Sequence, residues 1–84
     1  VTDFSFRQAK PMKPLSELPT GSLASVRAVG GGAHLSRRLL DYGVVEGTDI
    51  QVLQKSLCGD PTAYLVRGAV VAIRRDDARE IMVE

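Results

Sequence analysis

Only one stretch of this chain carries apolar residues at helical spacing; the other apolar runs are short, and most are bounded on one side by Gly or Pro. Leu35, Leu39 and Tyr42 stand at i, i+4 and i+7, which places them on one face of a helix over Ala33 to Tyr42. His34, Arg37, Arg38 and Asp41 gather on the opposite face, and Gly43 follows where helices commonly end in a left-handed residue. Before the helix, Gly30-Gly31-Gly32 breaks a strand over Ser22 to Val29, in which Ala24, Val26 and Ala28 alternate with polar residues and face inward. Asp49 to Lys55 puts Ile50 and Val52 on one side. Thr62 to Val66 follows the turn Gly59-Asp60-Pro61, and Arg67-Gly68 closes a hairpin onto Ala69 to Arg74. Ile81 to Glu84 is a final strand. Ser16 is placed to cap a single turn through Glu17 and Leu18, and Asp76 to Arg79 fits one further helical turn. Five short strands with one helix after the first and a tight turn before the last predict a mostly-β fold, a small closed or nearly closed barrel. A single helix excludes a doubly wound sheet, and closure removes the strand edges that invite aggregation.

Size and charge narrow the functional classes. Eighty-four residues make one domain, and 44% apolar with 25% charged residues excludes disorder for the bulk of the chain. The formal charge of +1 supplies no field to gather DNA or RNA. Cys58 is the only cysteine, so neither an internal disulfide nor a Cys-rich zinc site can form, which suits a reducing compartment. No apolar stretch approaches the ~20 residues that span a bilayer, and the amino terminus lacks a signal-peptide core, so the expected location is the cytoplasm. The absence of an initiator Met points to a processed start. Residues 1–13 form an amino-terminal tail in which Phe4 and Phe6 alternate with Ser5 and Arg7. Two readings stay open there: a mobile arm, or an extra edge strand or docking element. The compact domain spans residues 14–84.

The candidate chemistry is sparse. The triple glycine lacks the Gly-Lys-Ser/Thr of a P-loop, and the third Rossmann glycine would fall at Leu35; a corner that turns the strand into the helix is the better reading. His34 is the only histidine, and its helical neighbours Arg37 and Arg38 disfavour a bound cation. Cys58 and Asp60 share a turn, but two ligands do not complete a coordination sphere. His34, Cys58 and Asp60 are therefore expected to bind metal only adventitiously. Asp76, Asp77 and Glu80 are surrounded by Arg74, Arg75 and Arg79, the pattern of a solvated face with local ion pairs. No nucleophile motif occurs, and neither an enzyme nor a cofactor is expected. What remains is surface: the Arg37/Arg38 face of the helix, and the adjacent Val44-Val45, of which at least one points outward beside charged groups, as at a docking site.

The run Leu35-Ser36-Arg37-Arg38-Leu39-Leu40-Asp41-Tyr42-Gly43-Val44-Val45-Glu46-Gly47-Thr48-Asp49-Ile50 resembles the signature of the FeoA family. Pro14-Leu15-Ser16-Glu17-Leu18, Gly59-Asp60-Pro61, Val66-Arg67-Gly68, Ile73-Arg74-Arg75 and Ala78 with Ile81 and Val83 follow the family order over about residues 14 to 84. Tyr42 stands where the family usually has Leu, and Glu46 where Pro is common. The resemblance implies an SH3-like barrel that accompanies the bacterial ferrous iron transporter FeoB, binding its cytoplasmic, GTP-binding part and meeting the membrane only through that partner. No nucleic-acid partner is expected, on the charge balance above. The contact residues expected are Arg37, Arg38, Tyr42, Val44 and Val45. The alternative is an SH3-like module that senses metal or binds nucleic acid, akin to the carboxy-terminal domain of iron-dependent regulators. Nothing in Val1 to Lys13 supplies the helix-turn-helix of those regulators.

Overall fold

The structure, a computed structural model, describes residues 12–84; the readings that concern Phe4 and Phe6 lie outside the described residues. In chain order the elements are β1 (Lys13–Pro14), a 3-10 turn (Leu15–Glu17), β2 (Leu23–Val29), α1 (Gly32–Asp41), β3 (Asp49–Lys55), β4 (Thr62–Val66), β5 (Ala69–Ile73), α2 (Arg75–Ala78) and β6 (Ile81–Val83). The strands form one antiparallel sheet in the order β1-β6-β2-β3-β4-β5. The fold is the mostly-β one expected, with one more strand than the sequence pattern gives. That strand is β1, two residues long and paired with Val83 and Met82, too short to show any alternation.

β2 is shared between the two halves of the sheet. Its first residues, Leu23 to Ser25, pair with Gln51 to Asp49 of β3, and its second half pairs with β6. The register slips between Val26 and Ala28, and a second irregularity in β3 lies between Val52 and Gln54. Such bulges bend a strand and increase its twist, so a sheet this small curls around its own inner face. The bulge also overturns part of the inward set: Ala24 and Val26 are buried as expected, but beyond Arg27 the phase shifts, leaving Ala28 exposed and Val29 packed against the core. Ile50 and Val52, Tyr64 and Val66, Val71 and Ile73, and Ile81 and Val83 complete the inner face by alternation.

Leu35 and Leu39 of α1 are buried in this core. Tyr42 is not: at 46% exposure it lies at the rim, because the helix ends at Asp41 and Tyr42 is its C-cap. The expected capping by Ser16 is also absent. Pro14 occupies the N-cap of the 3-10 turn with no side-chain bond, while Leu15 and Leu18 are buried.

Gly43 has φ of +85°, the left-handed conformation predicted for it. The Gly43 N–H donates to the Leu40 carbonyl at 2.9 Å and the Val44 N–H to the Leu39 carbonyl at 2.8 Å. These are the paired bonds of a Schellman motif, whose accompanying apolar contact joins the residue after the glycine to the last helical turn. Val44 and Leu39 are both in the core. The Gly43 carbonyl accepts twice more, from Thr48 Oγ1 at 3.0 Å and from Arg67 Nε at 3.2 Å. Thr48 Oγ1 in turn accepts from the Val45 N–H at 3.2 Å. Arg67 sits in the β4–β5 turn at φ of +51°, followed by Gly68 at +82°, the left-handed pair that suits a two-residue hairpin.

Gly43→Ala is therefore expected to destabilise the domain. An L-residue in this conformation costs about 1–2 kcal/mol, and its Cβ would lie 2.8 Å from Arg67 Cδ. For a chain of this size each kcal/mol lowers Tm by about 4–8 °C. Thermal unfolding followed by circular dichroism reads this directly.

Candidate docking surface

Around a helix, successive side chains are rotated by about 100°. With Leu35 and Leu39 facing the core, Arg38 and Tyr42 fall on one flank of α1, Ser36 and Leu40 on the other, and Arg37 on the outer crest. The five residues expected to form one contact patch are thus divided.

Arg38 and Tyr42 border a groove of about 250 Å³ between α1 and the end of β5, with Leu39, Pro61, Ala72 and Ile73 among its walls. Across it the Arg38 Nη2 donates to Asp77 Oδ2 at 3.1 Å, tying α1 to α2. Both side chains are partly exposed, so the pair contributes on the order of 0–1 kcal/mol. Its main effect is to hold the guanidinium in place.

On the other flank Leu40, 59% exposed, and half-buried Val45 border an open groove of about 430 Å³ together with Ala28 and Val29. Arg27 and Glu46 stand on its walls. Val44 also touches this groove but is only 2% exposed. Of the Val44-Val45 pair it is Val45 that is partly open to solvent, because the turn at Gly43 directs Val44 inward. Leu40 was not among the residues expected. Its signal in the sequence is the adjacency of Leu39 and Leu40: two neighbours on a helix cannot both face one core, and Leu39 belongs to the Leu35 stripe.

The candidate metal and acid–base residues are scattered. His34 and Cys58 are exposed. Asp60 is engaged in structure, accepting the Arg75 N–H at 2.8 Å at the start of α2. Among the described residues no three His, Cys, Asp or Glu side chains gather closely enough to hold a metal ion. Asp76 pairs with Arg79 at 2.9 Å, a local ion pair of the kind expected there. The triple glycine forms a tight corner: a Cβ on Gly31, at φ of +80°, would lie 2.6 Å from Leu35 Cδ2.

A curled antiparallel sheet whose first long strand is shared between its halves, with a helix in the following connection, defines an SH3-like barrel domain. The family model for the FeoA domain matches residues 13–84. The chain belongs to the FeoA family. It is 40% identical over 70 residues to an Fe(2+) transport protein A/Fe(2+) transporter FeoB fusion protein of Porphyromonas gingivalis, a match covering 83% of this chain and 8% of that protein. The chain thus spans less than a tenth of that relative's length. The solution structure of the FeoA protein of Chlorobium tepidum is 37% identical and superposes with a TM-score of 0.80 over 84% of this chain and 68% of that one. The crystal structure of Stenotrophomonas maltophilia FeoA complexed with zinc, described as a prokaryotic SH3 domain protein, is 29% identical with a TM-score of 0.74 over 84% and 88%. Among the described residues no helix is long and apolar enough to cross a membrane.

Burial raises the pKa of Tyr64 above the ordinary 10.0; a hydrogen bond with Thr62 opposes this, and the charge of Asp60 adds to it. The sign follows from linkage. Below the unfolded value the phenol is neutral in both states and its burial is unopposed. As pH rises through 10.0 and on towards the folded value the unfolded chain loses the proton first, so stability falls. Urea midpoints measured across this alkaline range should decline more steeply for the wild type than for Tyr64→Phe.

Proposed function

We propose that the protein is a non-enzymatic accessory of ferrous iron uptake, acting in the cytoplasm by docking on the cytoplasmic, GTP-binding part of a FeoB-type transporter. The observation that carries this reading is the P. gingivalis relative, named as a transport protein A joined to FeoB in a single chain. Two functions joined in one chain work at the high effective concentration that tethering gives, which is useful when the two parts touch. Docking alters transport when the domain binds two states of the transporter with different affinities.

The contact we assign is the outer side of α1 with both its flanks. Leu40 and Val45 offer an apolar anchor site in the wider groove. Arg37 on the crest meets acidic groups of the partner, and Arg38 with Tyr42 forms the far rim. Apolar centres bordered by charge are the usual anatomy of such contacts. Val44 serves from inside, by fixing the loop that presents Val45.

The double substitution Leu40→Glu with Val45→Glu should weaken binding to the isolated cytoplasmic domain of the partner by about tenfold or more, as loss of central anchors does. Arg37→Glu, which breaks no ion pair among the described residues, should slow association and make it less salt-dependent. Surface plasmon resonance reads both. Wild-type affinity in the double variant, with an unchanged circular dichroism spectrum, would remove α1 from the interface.

A further inference from the structure

At the end of the barrel beneath the β3–β4 loop lies a small notch bounded by Ser16, Lys55, Gly59, Thr62, Tyr64 and Arg75. It shares no residue with the grooves beside α1. The β-ladder explains its composition. Lys55 pairs across the strands with Thr62, and alternation turns Thr62 and Tyr64 inward, where both are buried. Ser16 of the 3-10 turn comes from the other side. The Arg75 guanidinium reaches over the loop, its Nη2 3.7 Å from where a Cβ on Gly59 would stand.

Three hydroxyl-bearing residues, Ser16, Thr62 and Tyr64, therefore line the notch together with two cations, Lys55 and Arg75. Thr62 and Tyr64 follow one another on the inner face of β4, and each hydroxyl has an O–H to offer a guest. Burial holds the Tyr64 phenol in its neutral, donating form. Among the described residues neither Lys55 nor Arg75 has a carboxylate within ion-pair distance. Asp60, whose carboxylate is held by the Arg75 N–H, offsets one of the two positive charges. The site thus suits one negative charge. Its free space is about 30 Å³; an oxygen-sized atom needs about 10–15 Å³, so there is room for about two.

We infer that this notch is a binding site for a carboxylate, supplied by an acidic side chain on a protein partner. Two oxygens fill the space, the hydroxyls donate to them from below, and Lys55 and Arg75 close over them. Leu57, at 106% exposure, stands in the same loop as Gly59. An apolar residue beside the partner's acid would cover it. A phosphate is the poorer fit, because it brings more charge than the local balance matches. The inference is independent of which protein docks on α1.

The test is a titration followed by two-dimensional 15N–1H NMR, with sodium acetate against sodium chloride at equal ionic strength and acetamide as the neutral control. Acetate should shift the Gly59, Thr62, Tyr64 and Arg75 amides saturably, and chloride and acetamide should not. Tyr64→Phe keeps the ring in the core and removes the donor; Lys55→Gln changes only an exposed side chain. Each should weaken acetate by about tenfold, the usual effect of losing a charge-assisted bond. A short peptide containing Glu-Leu should bind more tightly than acetate, and its Gln-Leu counterpart should not bind. Shifts without saturation, or wild-type affinity in both variants, overturn the site. Inorganic phosphate binding more tightly than acetate overturns the assignment to a carboxylate.

Discussion

The carbonyl and the left-handed backbone of Gly43 form the junction on which the rest of the molecule depends. One residue ends the helix, donates its N–H to the Leu40 carbonyl, and directs Val44 into the core, where the Val44 N–H satisfies the Leu39 carbonyl. Its own carbonyl receives the Thr48 hydroxyl from the loop and the Arg67 guanidinium from the β4–β5 hairpin. The helix end, the loop that follows it and the distant β4–β5 hairpin are therefore held at one peptide. A helix of ten residues has little stability by itself. It persists here because its last turn is tied to the barrel at the same place where its apolar stripe enters the core.

That junction also determines what the surface offers. With Leu35, Leu39 and Val44 committed inward, Leu40 and Val45 are left with apolar surface facing water, and the bulge at Arg27 sets Ala28 outward beneath them. The wider groove is a consequence of two departures from regularity, one at each wall. On the opposite flank, the Arg38–Asp77 contact spans α1 and α2 and keeps the narrower groove bounded. Neither groove required residues placed for it alone.

Most strands were legible because their inner face is buried and the outer one is wet, so alternation survives in Ile50/Val52, Tyr64/Val66 and Ile81/Val83. The family was legible too, from the ordered set of short motifs between Pro14 and Val83. Illegibility begins where a single backbone event changes phase. The bulge moves Ala28 out and Val29 in, and no residue type at Arg27 announces it. Tyr42 fits the i, i+4, i+7 stripe, yet the helix stops one residue short and leaves it at the rim. β1 has two residues, and a period cannot be read from two. The notch escaped for a different reason. Lys55 and Thr62 look like ordinary strand residues until the ladder sets them opposite one another, and Ser16 and Arg75 arrive from segments that sequence spacing does not connect.

Charge explains why these surfaces must act at short range. The formal charge is +1, and three of the basic residues are already matched: Arg27 with Glu84 at 2.7 Å, Arg38 with Asp77, Arg79 with Asp76. Fields from such pairs cancel beyond about a Debye length, roughly 8 Å at physiological ionic strength. The domain therefore has little means of drawing a partner from a distance, and the docking proposed above relies on what is in contact: an apolar anchor in a groove, a guanidinium on a crest. An interface of that kind gains in encounter rate only from single rim charges such as Arg37, and more in residence. Covalent fusion, as in the P. gingivalis relative, supplies the encounter outright, and the docking proposed above would then leave the interface only to discriminate between states of what it touches.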